Sequence, residues 1–223
     1  MPSNDPSTTA PAPVRRRTRT RARMLEAGRR LLAERPVEGW AIDEIVAAAE
    51  VGKGSFYNHF TDKAAFAAAV AAEVRQRLEQ LISAANQRID DPAERVARAI
   101  CVSLNFALTD PIDATLMVNG HAATTRATHA LKAGLTKDLE AGKRQGRFAV
   151  PELDAAVLFV LGASFITLTR VVSEALDAPA VRKTAAQALS LTLRGLGVTT
   201  HESEDLARAA ARAVITARRP DGN

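Results

Sequence analysis

Apolar residues recur every three or four positions through most of this chain, and Pro, Gly or Asp-Pro steps cut that rhythm into short lengths. The period is that of a helix buried on one face. No stretch alternates apolar and polar residues for long enough to build a sheet. Composition agrees: Ala and Leu dominate a 47% hydrophobic content while aromatics supply only 4%. Ala and Leu lead the helix scale, whereas β-branched and aromatic side chains favour strands. The expected fold is all-α, and 223 residues suffice to bury a substantial core in one or two domains.

The breaks divide the chain as follows. Residues 1–14, ending in Ala10-Pro11-Ala12-Pro13, read as a disordered leader. Met24, Leu25, Gly28, Leu31 and Leu32 share one side of a helix expected from about 17 to 35, which Pro36 and Gly39 stop. A short helix over about 42–49 has Ile42, Ile45, Val46 and Ala49 as its apolar stripe. Glu50-Val51-Gly52 forms a tight break, and a third helix follows from Lys53 to Phe60. Thr61-Asp62 suits the N-cap of a fourth helix over about 62–89. Further helices are expected at about 93–109, 112–128, 127–145, 152–176, 179–196 and 202–218. The domain plan is therefore a helix-turn-helix unit over 15–62 and a second helical domain over 63–223.

Charge narrows the partners. The chain carries a net +5, its isoelectric point is about 9.9, and six arginines fall between Arg15 and Arg23. Charge concentrated in this way suggests a polyanion, most commonly nucleic acid. As a group these arginines suit either an arm laid in the minor groove or a loosely held electrostatic tail. Cys101 is the only cysteine, which rules out an intrachain disulfide and a paired-cysteine zinc site and fits a reducing cytoplasm. As the only thiol it reads as a small buried apolar group. No apolar run is expected to reach the roughly 20 residues a bilayer requires, so no membrane partner is expected, and the N-terminus lacks a signal peptide's apolar stretch. The four histidines are scattered, and neither a phosphate-binding glycine loop nor a nucleophile elbow occurs. No metal, cofactor or catalytic centre is expected, which counts against an all-helical enzyme.

Three short helices within 60 residues, the last two joined by a three-residue break, match the helix-turn-helix plan. In Lys53-Gly54-Ser55-Phe56-Tyr57-Asn58-His59-Phe60, the i, i+4 pair Phe56 and Phe60 would bury against the preceding helices. The opposite face offers Lys53, Ser55, Tyr57, Asn58 and His59, which are hydrogen-bonding groups without negative charge, suited to base edges and phosphates. Gly54 would let the backbone approach DNA or a neighbouring helix.

The stretch from Ile42 to Lys63, with its Lys53-Gly54-Ser55-Phe56-Tyr57-Asn58-His59-Phe60 core, resembles the signature of TetR-family regulators, and Met24-Leu25-Glu26-Ala27 with Leu31-Leu32 does so too. The resemblance covers roughly residues 20–66. It implies that Lys53, Gly54, Ser55, Tyr57, Asn58 and His59 lie at the operator, with Lys63 on a phosphate from the start of the fourth helix. Two positions depart from the family pattern: Glu50 stands where the turn usually has glycine, and Gly52 where the recognition helix usually has a serine cap. A left-handed Glu50 would cost about 1 kcal/mol, and the missing cap a few tenths.

The family plan implies a homodimeric, ligand-responsive repressor acting on double-stranded operator DNA, with dimerisation and effector binding in the C-terminal domain. Dimer-interface candidates are Val157, Leu158, Leu161, Phe165, Leu189 and Leu193, on two helices paired as in a four-helix bundle. Polar residues set among apolar ones nominate a pocket at Asn105, Met117, His121, Thr125, His129, Phe148, Phe165 and Thr169. The effector is an unidentified small molecule. The alternative reading is a DNA-binding protein with no effector, whose specific and random binding would share one steep salt dependence.

Overall fold

The computed structural model describes residues 12–119 and 130–216. Its elements are helices α1 (Ala12–Glu34), α2 (Ile42–Ala48), α3 (Lys53–Tyr57), α4 (Lys63–Ala85), α5 (Pro92–Thr109), α6 (Pro111–Asn119), α7 (Ala130–Arg144), α8 (Leu153–Ser173), α9 (Ala178–Gly195) and α10 (Thr200–Val214), with a 3-10 turn at Val37–Gly39. Among the described residues there is no strand. The chain forms two compact units, Met1–Val70 and Ala71–Asn223, so the division falls inside α4.

Local chemistry sets most boundaries. The Asp62 carboxylate accepts from the Ala65 amide at 2.7 Å and caps α4. Asp91 and Asp177 do the same for α5 and α9, accepting from Ala93 at 3.2 Å and Ala180 at 2.9 Å, each with a proline in the first turn. Gly146 has φ +68, the left-handed conformation that ends α7. The start of α1 corrects the sequence expectation: the helix begins at Ala12, not near residue 17. Pro13 sits in the first turn, where its missing N–H costs nothing, and arginine is a good helix former. The arginine run is therefore helical.

In the first unit, Met24, Leu25, Ile45, Phe56, Phe66 and Val70 are fully enclosed. A Cβ at Gly28 would meet the Phe66 ring and lie 2.8 Å from Val70 Cγ2, so glycine allows α1 and α4 to close together. Trp40 fills the corner before α2, with Nε1 donating to Leu31 O at 3.0 Å and the Arg35 guanidinium 3.5 Å over its ring.

In the second unit α5 is central, packing against α6, α7, α8, α9 and α10. Val96, Ala97, Ile100, Cys101 and Leu104 line it, and Val157, Val160, Val181, Leu189 and Leu193 pack onto them. Sequestering a leucine such as Leu189 or Leu193 contributes about 1.5–3 kcal/mol. Burial pushes the Cys101 thiol up to about 12, so it stays protonated and packs as a small apolar group.

Helix α8 corrects one expectation. Its 21 residues have mean hydropathy 2.0 over an 18-residue window, long and apolar enough to cross a bilayer by length and composition. Its scattered Ser and Thr hydroxyls interrupt the apolar run, and those of Thr167 and Thr169 donate to carbonyls one turn back, at 2.7 and 2.9 Å. The dimer candidates divide by burial. Val157, Leu189 and Leu193 lie in the core of their own chain. Leu161 and Phe165 are half-buried, whereas Leu158 is 69% and Ile166 67% exposed. Phe159 is also exposed and lies over Gly195, one turn from the exposed Leu191.

Candidate nucleic-acid interface

Helix α2 starts where the Ala41 amide donates to Glu44 Oε2 at 2.7 Å. That bond, with Arg35 beside it, holds the Glu44 carboxyl below the usual carboxylate range. The helix ends in a left-handed Glu50 (φ 51), whose amide donates to Ala47 O at 3.0 Å while Val51 N donates to Val46 O at 2.9 Å. Glu50 thus adopts the conformation expected of the glycine it replaces. Its carboxylate pairs with Arg23 of α1. Gly52 leads into α3 with extended backbone and no side-chain cap.

Helix α3 is anchored by aromatics. The Phe56 ring lies 5.5 Å from Phe60 and 5.6 Å from Phe66, and Phe60 meets Phe66 edge-on at 5.1 Å. With Phe56 and Phe60 turned inward, Lys53, Gly54, Tyr57 and Asn58 are exposed and Ser55 and His59 half-exposed. Tyr57 is 55% exposed although its ring edge touches Phe56. A Cβ at Gly54 would meet nothing within 4 Å, so this stretch of backbone is open to close approach.

The expected contact residues are held in different ways. Lys53 forms an ion pair with Asp43 of α2 at 3.0 Å, a hydrogen bond that raises its pKa. Lys63 donates to Trp40 O at 2.8 Å and Glu38 O at 3.3 Å, so its ammonium also ties α4 to the loop before α2. His59 is pushed below its ordinary value, first by burial and then by Arg17 and Arg21. Those arginines were not singled out individually by sequence. Arg17 donates to Asn58 O at 3.4 Å and the Arg21 guanidinium lies 5.8 Å over Phe60.

The pocket candidates scatter by role. His121, Thr125 and His129 lie outside the described residues. Phe148 is buried in the core cluster, its ring seated on Gly142. Asn105 Oδ1 accepts from the Thr216 amide at 3.0 Å, tethering the segment after α10. Met117, Phe165 and Thr169 are half-buried on α6 and α8, which pack on each other.

Sequence reasoning also missed the arginines around the end of α4. Arg98 donates to Ala85 O at 3.0 Å and Arg95 to Asn86 O at 2.9 Å, while Arg95 pairs with the buried Asp138 at 2.6 Å. Cations at a helix C-terminus satisfy its orphan carbonyls and complement its dipole.

A three-helix unit whose last short helix is buried by aromatics on one side and open on the other defines a helix-turn-helix DNA-binding regulator. Comparison with known proteins gives the family. Residues 24–70 match the model for bacterial regulatory proteins of the tetR family, and residues 91–209 match a tetracyclin repressor-like C-terminal domain. The chain belongs to the TetR family. It is 42% identical over 79 residues to the HTH-type transcriptional repressor DhaR of Mycobacterium sp. (strain GP1), covering 35% of this chain and 40% of DhaR. It is 39% identical over 67 residues to the repressor NemR of Escherichia coli (strain K12), covering 28% of this chain and 34% of NemR. The matches thus span two-fifths or less of those relatives. A crystal structure of RolR in complex with resorcinol superposes with TM-score 0.69 at 28% identity, over 87% of this chain and 95% of that one. A gamma-butyrolactone receptor, at 20% identity and TM-score 0.60 over 89% of this chain and 99% of its own, shares the fold.

Proposed function

We propose that this regulator is a homodimeric repressor that grips a palindromic operator through α3 and releases it when a small apolar or amphipathic molecule binds the Ala71–Asn223 unit. The observation that carries DNA recognition is the division of α3: Phe56 and Phe60 are turned inward while Lys53, Gly54, Ser55, Tyr57, Asn58 and His59 are left for the duplex. Tyr57 and His59 suit phosphates, and Lys53 and Ser55 bases or phosphates. Lys63 holds the α2–α4 corner and keeps donor capacity for a phosphate.

Dimerisation is supported by the apolar stripe Leu158, Phe159, Ile166 and Leu191, which the chain's own core leaves uncovered. A two-fold pairing of α8 and α9 through it would bury that stripe and set two recognition helices about one DNA turn apart, or a multiple of one. Release runs through α4, which belongs to both units and whose C-terminal carbonyls are held by Arg95 and Arg98. A ligand acts only through its preference for the non-binding state, and a coupling of about 1–3 kcal/mol changes operator affinity about 5–150-fold. RolR, crystallised with resorcinol, makes small phenols the first effector class to try.

The test is selection of binding sites from a random duplex pool, followed by titration of the bound complex with resorcinol. The expected result is a palindrome of two half-sites with release on titration of a fitting ligand. A pool that fails to enrich any sequence would favour the effector-independent alternative.

A further inference from the structure

The N-terminal half of α1 is electrostatically uncompensated. It carries six arginines between residues 15 and 23 and no acid. They sit at the positive end of the helix macrodipole, where cations are unfavourable. Arg15 and Arg19, Arg17 and Arg21, and Arg19 and Arg23 are like-charge i, i+4 pairs, which oppose the helix. Only Arg23 has a carboxylate partner among the described residues, Glu50; Arg16, Arg17, Arg19 and Arg21 are exposed with none within ion-pair distance. A segment whose local charge opposes its own conformation is where a functional partner is to be sought.

The placement of this segment indicates the partner. Arg23 reaches the turn residue in front of α3, Arg17 reaches the Asn58 carbonyl behind it, and Arg21 covers Phe60. Arg17 and Arg21 also lower the His59 pKa, after burial, which is the larger cause. The arginine run therefore lies alongside the recognition helix from end to end, as part of a rod that is helical from Ala12. We propose that the N-terminal half of α1 is a second DNA-binding element, with Arg16, Arg17, Arg19 and Arg21 neutralising phosphates beside those held by α3. This rests on the operator-binding reading above. The contribution is blind to sequence, because guanidinium groups on phosphates position a protein without reading bases. It accounts for the uncompensated charge, which a duplex would satisfy.

The test compares the full chain with R16Q/R19Q, two exposed side chains with no ion-pair partner among the described residues. Binding is measured on the selected duplex and on a random duplex of equal length between about 50 and 200 mM salt. Each lost phosphate contact lowers the slope of log affinity against log salt by about 0.9, so the variant should lose about 1.8 per protomer, equally on both duplexes. Over that fourfold salt range the fall in affinity should shrink by about 12-fold per protomer. R16K/R19K should retain the wild-type slope. Without DNA, R16Q/R19Q should melt at or above the wild-type temperature, which separates lost contacts from lost fold. A wild-type slope in R16Q/R19Q would overturn the proposal. Equal binding of selected and random duplexes by the wild type would instead overturn operator reading, while the slope would still test α1.

Discussion

At the scale of single residues, the turn between α2 and α3 shows how a departure from the family pattern is accommodated. Glu50 takes the left-handed conformation that glycine would adopt freely, at a cost of about 1 kcal/mol. Its pairing with Arg23 is exposed and worth at most about 1 kcal/mol, so it offsets that strain only in part. Replacing Glu50 by Gly removes the strain but also the pair, and adds unfolded-state entropy of about 0.4–1 kcal/mol. Glu50→Gly should therefore leave the stability of the chain within about 0.5 kcal/mol, whereas the β-branched Glu50→Val should lower it by about 2 kcal/mol. Denaturant melts of the two variants check this; equal losses would mean that φ at position 50 is not what matters. The strain was legible from sequence because a missing turn glycine is visible in a short motif. The Arg23 partner was not, because 27 residues separate the pair and only packing brings them together.

At the scale of elements, α3 works as a surface because a cluster of three phenylalanines fixes its roll, and that much follows from i, i+4 spacing. The cap of α4 at Asp62 was also legible, whereas the Asp91 and Asp177 caps appear only in the structure. The start of α1 was misjudged, because a run of arginines looks like a solvated tail when its helical register is unknown. That register brings Arg17 to the Asn58 carbonyl and Arg21 over Phe60, from where both act on His59. Burial and those two cations depress the imidazole in the free protein, so as pH falls from the unfolded-state value through the folded one His59 costs the free domain stability. A neighbouring phosphate would raise it instead, so operator binding takes up a proton. Affinity for the selected duplex should therefore rise as pH is lowered from about 8 to about 6, the usual histidine range. His59→Gln should flatten that rise; an unchanged pH profile in the variant would remove His59 from the phosphate backbone.

At the scale of the whole molecule, the all-α plan and the order of helices could be read from periodicity, whereas the division of α8 and α9 between inside and outside could not. Both helices are apolar on several sides, and periodicity alone cannot say which side meets its own chain and which a partner. The structure assigns Val157, Leu189 and Leu193 to the protomer core and leaves Leu158 and Ile166 outside. Leu158→Glu or Ile166→Glu should yield a folded monomer by sedimentation. Leu193→Glu should instead unfold the second unit, since a buried unpaired carboxylate has no compensation. A Leu158→Glu protein that still sediments as a dimer would move the interface elsewhere. Pocket residues were the least legible, because half-buried polar groups such as Asn105 serve helix ends as readily as ligands. The central claim remains that α3 is the element that holds the operator. It is tested most directly by the affinity for the selected duplex of wild type and of Tyr57→Ala, a side chain more than half exposed that the fold does not need. The account predicts that Tyr57→Ala weakens that binding about tenfold, as loss of a charge-assisted phosphate contact would, with dimer and melting temperature unchanged. Undiminished affinity in that variant would contradict it.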